Sequence, residues 1–171
     1  MVVLVVGKTC SGKDTVAHYL EEAYHLNRVV TYTNRPMRQD DTQGVSHIFI
    51  EGSETPDYDD MFSKTEIAGF WYFMRKSQLS DGNFVAVVDP KGVEDFRDIG
   101  IPCEVVYVDC PEELILQRAV GRGTDPGVVI TRLDSERERF DEFKQSGEYD
   151  YLILNVGTVD ELKLAVDVFM G

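Results

Sequence analysis

Positive charge is scarce in this chain. Lysine and arginine number 17 against 31 aspartates and glutamates, which leaves a formal net charge of −14 on 171 residues. A surface that acidic repels nucleic acids and anionic membranes at long range, so neither is an expected partner. Cysteine is nearly as sparse. Cys10, Cys103 and Cys110 are an odd set without metal-ligand spacing, which argues against a disulfide framework and a zinc site and suits a reducing compartment. No apolar run approaches the roughly 18 residues of a membrane span. The opening Met1-Val2-Val3-Leu4-Val5-Val6-Gly7 lacks the basic segment of a signal peptide, and a cytoplasmic location is expected. Internal repeats and low-complexity stretches are absent as well.

What is present is a globular composition, 43% hydrophobic and 28% charged, with the length of one domain. Short β-branched runs alternate with helical patterns. Val2–Val6, Arg28–Thr33, Val45–Ile50, Gly69–Phe73, Phe84–Val88, Glu104–Val108 and Tyr151–Leu154 read as strands. Asp14–Tyr24, the stretch after Pro111, Val128–Gln145 and Val159–Met170 read as helices, the last with Thr158 as its N-cap. Such alternation predicts an α/β fold, a three-layer sandwich around a mostly parallel sheet. Residues 34–83 break the alternation and are rich in turns and aromatics, as expected of an inserted lobe.

In so acidic a protein a phosphate-bearing ligand needs a local cluster of donors. One candidate follows the first strand directly. Gly7-Lys8-Thr9-Cys10-Ser11-Gly12-Lys13-Asp14-Thr15 has P-loop spacing, in which glycines let backbone N–H groups converge on phosphate oxygens and the lysine reaches the outer phosphates. A glycine-rich turn with a surface lysine is the plain alternative, and the strand-loop-helix context decides against it. One position departs from the strict pattern: Asp14 stands where a Ser or Thr would hold Mg²⁺, with Thr15 next.

A second candidate is Thr31-Tyr32-Thr33-Asn34-Arg35-Pro36-Met37-Arg38, continuing to Asp41 and His47. Two arginines three apart after a strand, with proline stiffening the turn, suit forked binding of one phosphate.

With these segments the sequence resembles the guanylate kinase family. The resemblance spans nearly the whole chain and is also carried by Gly69-Phe70-Trp71-Tyr72, Val87-Val88-Asp89-Pro90-Lys91-Gly92, Gly121-Arg122-Gly123-Thr124 and Tyr149-Asp150-Tyr151-Leu152-Ile153-Leu154-Asn155. It implies a P-loop core (about 1–33, 84–120 and 146–171), a monophosphate-binding lobe (about 34–83) and an arginine-bearing lid (about 121–145). It implies transfer of the γ-phosphoryl of ATP, with Mg²⁺, to GMP or dGMP. Gly7, Cys10, Ser11, Gly12, Lys13, Asp14 and Thr15 would hold ATP, and Thr15 and Asp89 the metal, directly or through water. Arg35 and Arg38, with Tyr72 and His47, would hold the acceptor phosphate.

Thr31, Asp41, Glu66 and Asp89 would stand in the acceptor lobe or at the base, while Met74 replaces a small hydroxyl residue. Asp89 has a second reading, as the cap of the helix after Pro90. Arg118, Arg122 and Arg132 among Gly121, Gly123 and Gly127 read alone as a solvated loop. The resemblance makes them lid arginines, placed to neutralise a phosphoryl group in transfer. Arg137 and Arg139 read as an exposed helix face with ion pairs. His47, where the family has a tyrosine, would strengthen acceptor binding toward acid. The alternatives are a kinase of another or modified deoxynucleotide or of a phosphosugar, or a binding module without catalysis.

Overall fold

The computed structural model describes residues 1–38, 41–52, 59–67, 69–79 and 82–171. In chain order the elements are β1 (Val2–Val6), α1 (Lys13–Tyr24), β2 (Asn27–Val29), β3 (Tyr32–Thr33), β4 (Ile48–Phe49), β5 (Met61–Ile67), β6 (Phe70–Arg75), β7 (Phe84–Val88), α2 (Pro90–Asp98), β8 (Glu104–Asp109), α3 (Glu112–Gly121), α4 (Pro126–Ser146), β9 (Tyr151–Leu154) and α5 (Val159–Met170). Five strands form a parallel sheet in the order β2-β7-β1-β8-β9. The other four form a smaller mixed sheet, β4-β3-β6-β5.

The continuous apolar runs explain the core sheet, because a strand buried on both faces has no need of polar alternation. Along β1 every residue is buried. Leu4 and Val6 turn to one side with Ala86, Val88 and Tyr107, against Phe96 of α2 and Phe140 and Phe143 of α4. Val3 and Val5 turn to the other, against Leu20 of α1 and Leu162 and Val166 of α5. The result is three layers, with the helices on both faces that the alternation predicts. Thr158 caps α5 as expected: its Oγ1 accepts from Glu161 N–H at 3.2 Å while a Glu161 carboxylate oxygen accepts from Thr158 N–H at 2.7 Å.

Several expected elements differ. The strand expected over Arg28–Thr33 is two strands in different sheets, and the gap at Val30 and Thr31 is where the chain leaves the core. The strand expected over Val45–Ile50 shrinks to Ile48–Phe49, since Thr42 accepts backbone hydrogen bonds from Val45 and Ser46 in a tight turn. Strand β5 has no counterpart in the sequence reading. Its polar pattern, Met-Phe-Ser-Lys-Thr-Glu-Ile, shows no clean alternation because a register shift lies between Phe62 and Thr65, where Ser63 has φ +50°. The glycine-rich interruption near 121–127 narrows to 122–125, for α3 runs to Gly121 and Asp125 caps α4 by accepting from Gly127 N–H at 2.8 Å. Helix α4 therefore joins two settings. Val129 and Leu133 pack on Ile115 and Ala119 of α3, whereas Phe140 and Phe143 belong to the main core.

Candidate active site

The turn from β1 into α1 is built on glycine. A Cβ on Gly7 would lie 2.5 Å from both Ser11 Oγ and the Val108 carbonyl, and one on Gly12, at φ +102°, would meet the Asn155 amide. Ser11 N–H closes the loop on the Lys8 carbonyl at 3.1 Å. Asn155, buried at the end of β9, clamps it by donating from Nδ2 to the Ser11 carbonyl at 2.8 Å. With Cys10 also left-handed, at φ +56°, the loop forms a concave turn in front of a helix N-terminus, a setting that favours anions. Lys13 Nζ is held only loosely, 3.3 Å from the Lys8 carbonyl and 3.9 Å from Asp14. A cleft of about 470 Å³ opens there, walled by the P-loop, by Arg118, Arg122 and Arg132, and by the segment from Asn155 into α5.

A second cluster lies across Lys13. Arg35 is 6% exposed; its guanidinium donates to Asp41 at 2.8 Å and to the Pro36 carbonyl at 2.9 Å, and sits 5.3 Å from the Phe49 ring centroid. Asp41 also accepts from Arg38 N–H at 2.7 Å. Burial alone would raise the Asp41 pKa, but the hydrogen bonds from Arg35 and Arg38 hold it below the usual carboxylate value. The Tyr72 and His47 rings meet edge-on, with centroids 5.6 Å apart.

Arg38 has no ion-pair partner among the described residues. Desolvation, then the nearby charges of Arg132 and Arg35, push its pKa down. In a chain of net charge −14, the two guanidiniums of this loop, with Asp41 on Arg35, thus lie near enough to Arg132 of α4 for its charge to be felt. An anion is the ligand such an arrangement suits. A smaller cavity of about 170 Å³, lined by Thr31, His47 and Val87, adjoins this cluster, and Lys13 and Asp14 line it as well as the larger cleft. The cleft and the cavity thus share the wall formed by Lys13 and Asp14.

No family model matches the chain. Curated proteins do. The chain is 29% identical over 178 residues to the guanylate kinase of Dechloromonas aromatica, covering 96% of this chain and 83% of that one. It is 28% identical over 166 residues to that of Corynebacterium diphtheriae, covering 90% and 85%. The crystal structure of guanylate kinase from Anaplasma phagocytophilum superposes with a TM-score of 0.68 at 18% identity, over 99% of this chain and 84% of that one. Along nearly its whole length the chain is similar to guanylate kinases.

As in the sequence reading, Gly7 to Thr15 lie in one turn, and Arg35, Arg38, Asp41, His47, Tyr72 and Thr31 gather beside it. Three residues stand otherwise. Glu66 is exposed and pairs in register with Trp71, one residue from Tyr72 and hence on the opposite face of the lobe sheet. It is therefore no reader of a base lying on the Tyr72 face. Asp89 takes the capping alternative: one carboxylate oxygen accepts from Gly92 N–H at 2.9 Å, the other from Arg139 at 3.0 Å. Arg118 points its guanidinium at the carbonyls of Asn155 (3.1 Å) and Gly157 (2.7 Å). It braces the cleft wall, and Arg122 and Arg132 are left as the unpaired cations there.

Sequence reasoning missed Asn155 as the clamp of the P-loop, Glu136, whose carboxylate accepts from Thr9 N–H at 2.7 Å, and Arg139. The last two sit in a helix segment that reads as an exposed charged face. That reading holds for Arg137, paired with Asp134 and Glu112, but long-range partners leave no local signal.

His47 also departs from expectation. Burial, and then the charge of Arg35, lower its pKa, against weaker opposition from Asp41 and Asp14. The free protein therefore holds a neutral imidazole near neutral pH, which becomes the cation expected from sequence only at lower pH than an ordinary histidine. The folded pKa lies below the ordinary 6.5, so the unfolded chain takes up the proton first. Stability is full above 6.5 and falls as pH drops below it. Between about pH 7.5 and about pH 5.5, wild type is expected to lose more unfolding free energy in urea than His47→Gln. Equal losses would place the imidazole in water.

Asp41→Ala should leave the buried Arg35 charge without its carboxylate, at a cost of about 3 kcal/mol. Millimolar inorganic phosphate should restore much of the lost melting temperature, because the anion replaces the missing charge. A melt insensitive to phosphate would deny an anion site beside Arg35.

Proposed function

We propose that the protein transfers the γ-phosphoryl group of ATP to GMP or dGMP, giving ADP and the guanine nucleoside diphosphate. The observation that carries this is that Lys13 lines both the P-loop cleft and the cavity beside Thr31 and His47, with Arg38 lacking an ion-pair partner among the described residues and within the influence of Arg132. An acceptor phosphate oxygen attacks the γ-phosphorus, and the bond to the β,γ-bridging oxygen breaks. The attacking oxygen is already anionic near neutral pH, so no general base is required. What the reaction needs is placement and positive charge.

The P-loop amides and Lys13 hold the ATP phosphates. Arg35, Arg38, Tyr72 and His47 hold the acceptor phosphate, with Asp41 fixing Arg35. Arg132 and Arg122 neutralise the group in flight, and Arg118 keeps the wall of the ATP cleft in place. Residues 34–83 act as the monophosphate lobe and 121–145 as the arginine-bearing lid. Among the described residues no cluster of His, Cys, Asp or Glu would hold a metal alone. That suits Mg²⁺ carried largely by ATP's own oxygens, with Asp14 or Thr15 on the cleft wall as the protein oxygen. Bound there, Mg²⁺ would offset phosphate charge. A binding module without catalysis would have no use for unpaired arginines at the junction of two clefts.

The test is ADP release, coupled to an indicator reaction, with ATP, Mg²⁺ and each ribo- and deoxynucleoside monophosphate in turn. Guanine acceptors should give the highest kcat/KM. Turnover with no monophosphate would overturn the assignment.

A further inference from the structure

The P-loop is held at two points by distant parts of the chain. Asn155 donates to the Ser11 carbonyl at 2.8 Å. The second holder is α4. A Glu136 carboxylate oxygen accepts from Thr9 N–H at 2.7 Å, and Asp141 meets the Lys8 ammonium at 2.7 Å, with Glu112 of α3 also on that ammonium at 3.2 Å. A carboxylate bonded to a loop that is to receive phosphates is unexpected on electrostatic grounds, because like charges repel. Packing does not require it either. Val129 and Leu133 already seat α4 on α3, and Phe140 and Phe143 seat it on the main core.

What Glu136 adds is register. It follows Arg132 by four residues, so the two lie on one face of α4. Both are half-buried, while Asp134, Ser135 and Arg137 around them are exposed. Arg132 and Thr9 line the same cleft. The bond from Thr9 N–H to Glu136 therefore ties the P-loop to the helix turn next to the one that bears Arg132. A carboxylate suits this task better than a neutral acceptor, because its bond to a backbone N–H is charge-assisted and correspondingly strong. Position matters here because the phosphoryl transfer proposed above depends on placement, and a shift of about 1 Å in a positioned group can cost on the order of 100-fold in rate.

We propose that Glu136 is a positioning residue of the transfer centre, which seats α4 on the P-loop through Thr9 N–H and so sets Arg132 over the phosphates held there. The inference deepens the proposed function and rests on it. Glu136 touches no substrate and acts through Arg132. Its contribution belongs to the transition state, in which Arg132 is engaged, and not to the binding of ATP, which the loop amides and Lys13 perform. The negative charge it brings is a cost to ATP affinity that accompanies the placement.

The experiment measures kcat and the KM for ATP, with GMP as acceptor, in wild type, Glu136→Ala, Glu136→Gln, Arg132→Met and the double variant Glu136→Ala/Arg132→Met. Glu136→Ala should lower kcat about 10- to 100-fold, with the ATP KM changed less than about threefold. Glu136→Gln keeps an acceptor oxygen for Thr9 N–H without the charge, so its kcat should stay within about threefold of wild type and its ATP KM should be equal or lower. The double variant should match Arg132→Met within about threefold, because with Arg132 gone there is nothing left to place. Should the alanine variant fail to fold, Glu136→Met, which keeps the volume without the acceptor, takes its place in both comparisons. Wild-type kcat in Glu136→Ala or in Arg132→Met overturns the inference. So does a raised ATP KM with kcat intact, which would make Glu136 a support of the loop alone, and so do losses that multiply in the double variant. Each of these leaves the proposed function standing, whereas absence of wild-type turnover with every acceptor removes both.

Discussion

Lys13→Ala should lower kcat by a factor of about 10² to 10³, with the melting temperature nearly unchanged. The ammonium is the group shared by the two clefts, so it is placed to act on the phosphoryl group throughout its passage. Its present contacts are weak, 3.3 Å to a carbonyl and 3.9 Å to Asp14. Little native stability depends on it, while the transition state loses a positioned charge in a partly desolvated cleft. Turnover alongside a thermal melt separates these effects. A variant retaining wild-type kcat would remove the P-loop from the mechanism.

Arg132→Met should cost more in kcat, about 10³-fold or greater, in the range seen when an arginine is taken from a transferring phosphoryl group. The KM values should change only several-fold. The second part of the expectation is less usual. Without ligand, Arg132 lies close enough to Arg38 to depress its pKa, so the pair repels. Removing one member should leave the free protein as stable as wild type or slightly more so, a site in which charge is arranged for function at some expense to the fold. Loss of stability in this variant without loss of kcat would show that Arg132 packs α4 and takes no part in transfer.

Strands β1, β7 and β8 are legible in sequence because two-sided burial writes itself as apolar runs, and Val2–Val6 and Phe84–Val88 coincide with theirs; β9 is an apolar run that is mostly exposed, and β2, Asn-Arg-Val, carries no such run. The lobe is harder to read. Two of its strands, β3 and β4, are only two residues long, and β5 carries a register shift at Ser63 that destroys the period-two pattern. Among site residues, those on a compact local motif were readable: the P-loop, and Arg35 with Arg38. Those whose role depends on a distant partner were not. Nothing in the neighbourhood of Arg139 announces Asp89, fifty positions away, and nothing near Asn155 announces the Ser11 carbonyl. Asp89 illustrates the reverse: its helix-capping alternative was readable from Pro90, and the structure shows that geometry.

The account holds that the ATP cleft and the acceptor cleft are halves of one phosphoryl-transfer centre joined at Lys13. The most direct measurement is calorimetric titration of the protein with a ligand in which adenosine and guanosine are linked through five phosphates, beside separate titrations with ADP and GMP. If the clefts are continuous, the linked ligand should bind at least about 100-fold more tightly than either half, because the second half binds intramolecularly. An affinity no greater than that of the better half would mean that the two sites cannot be spanned together, and would contradict the account.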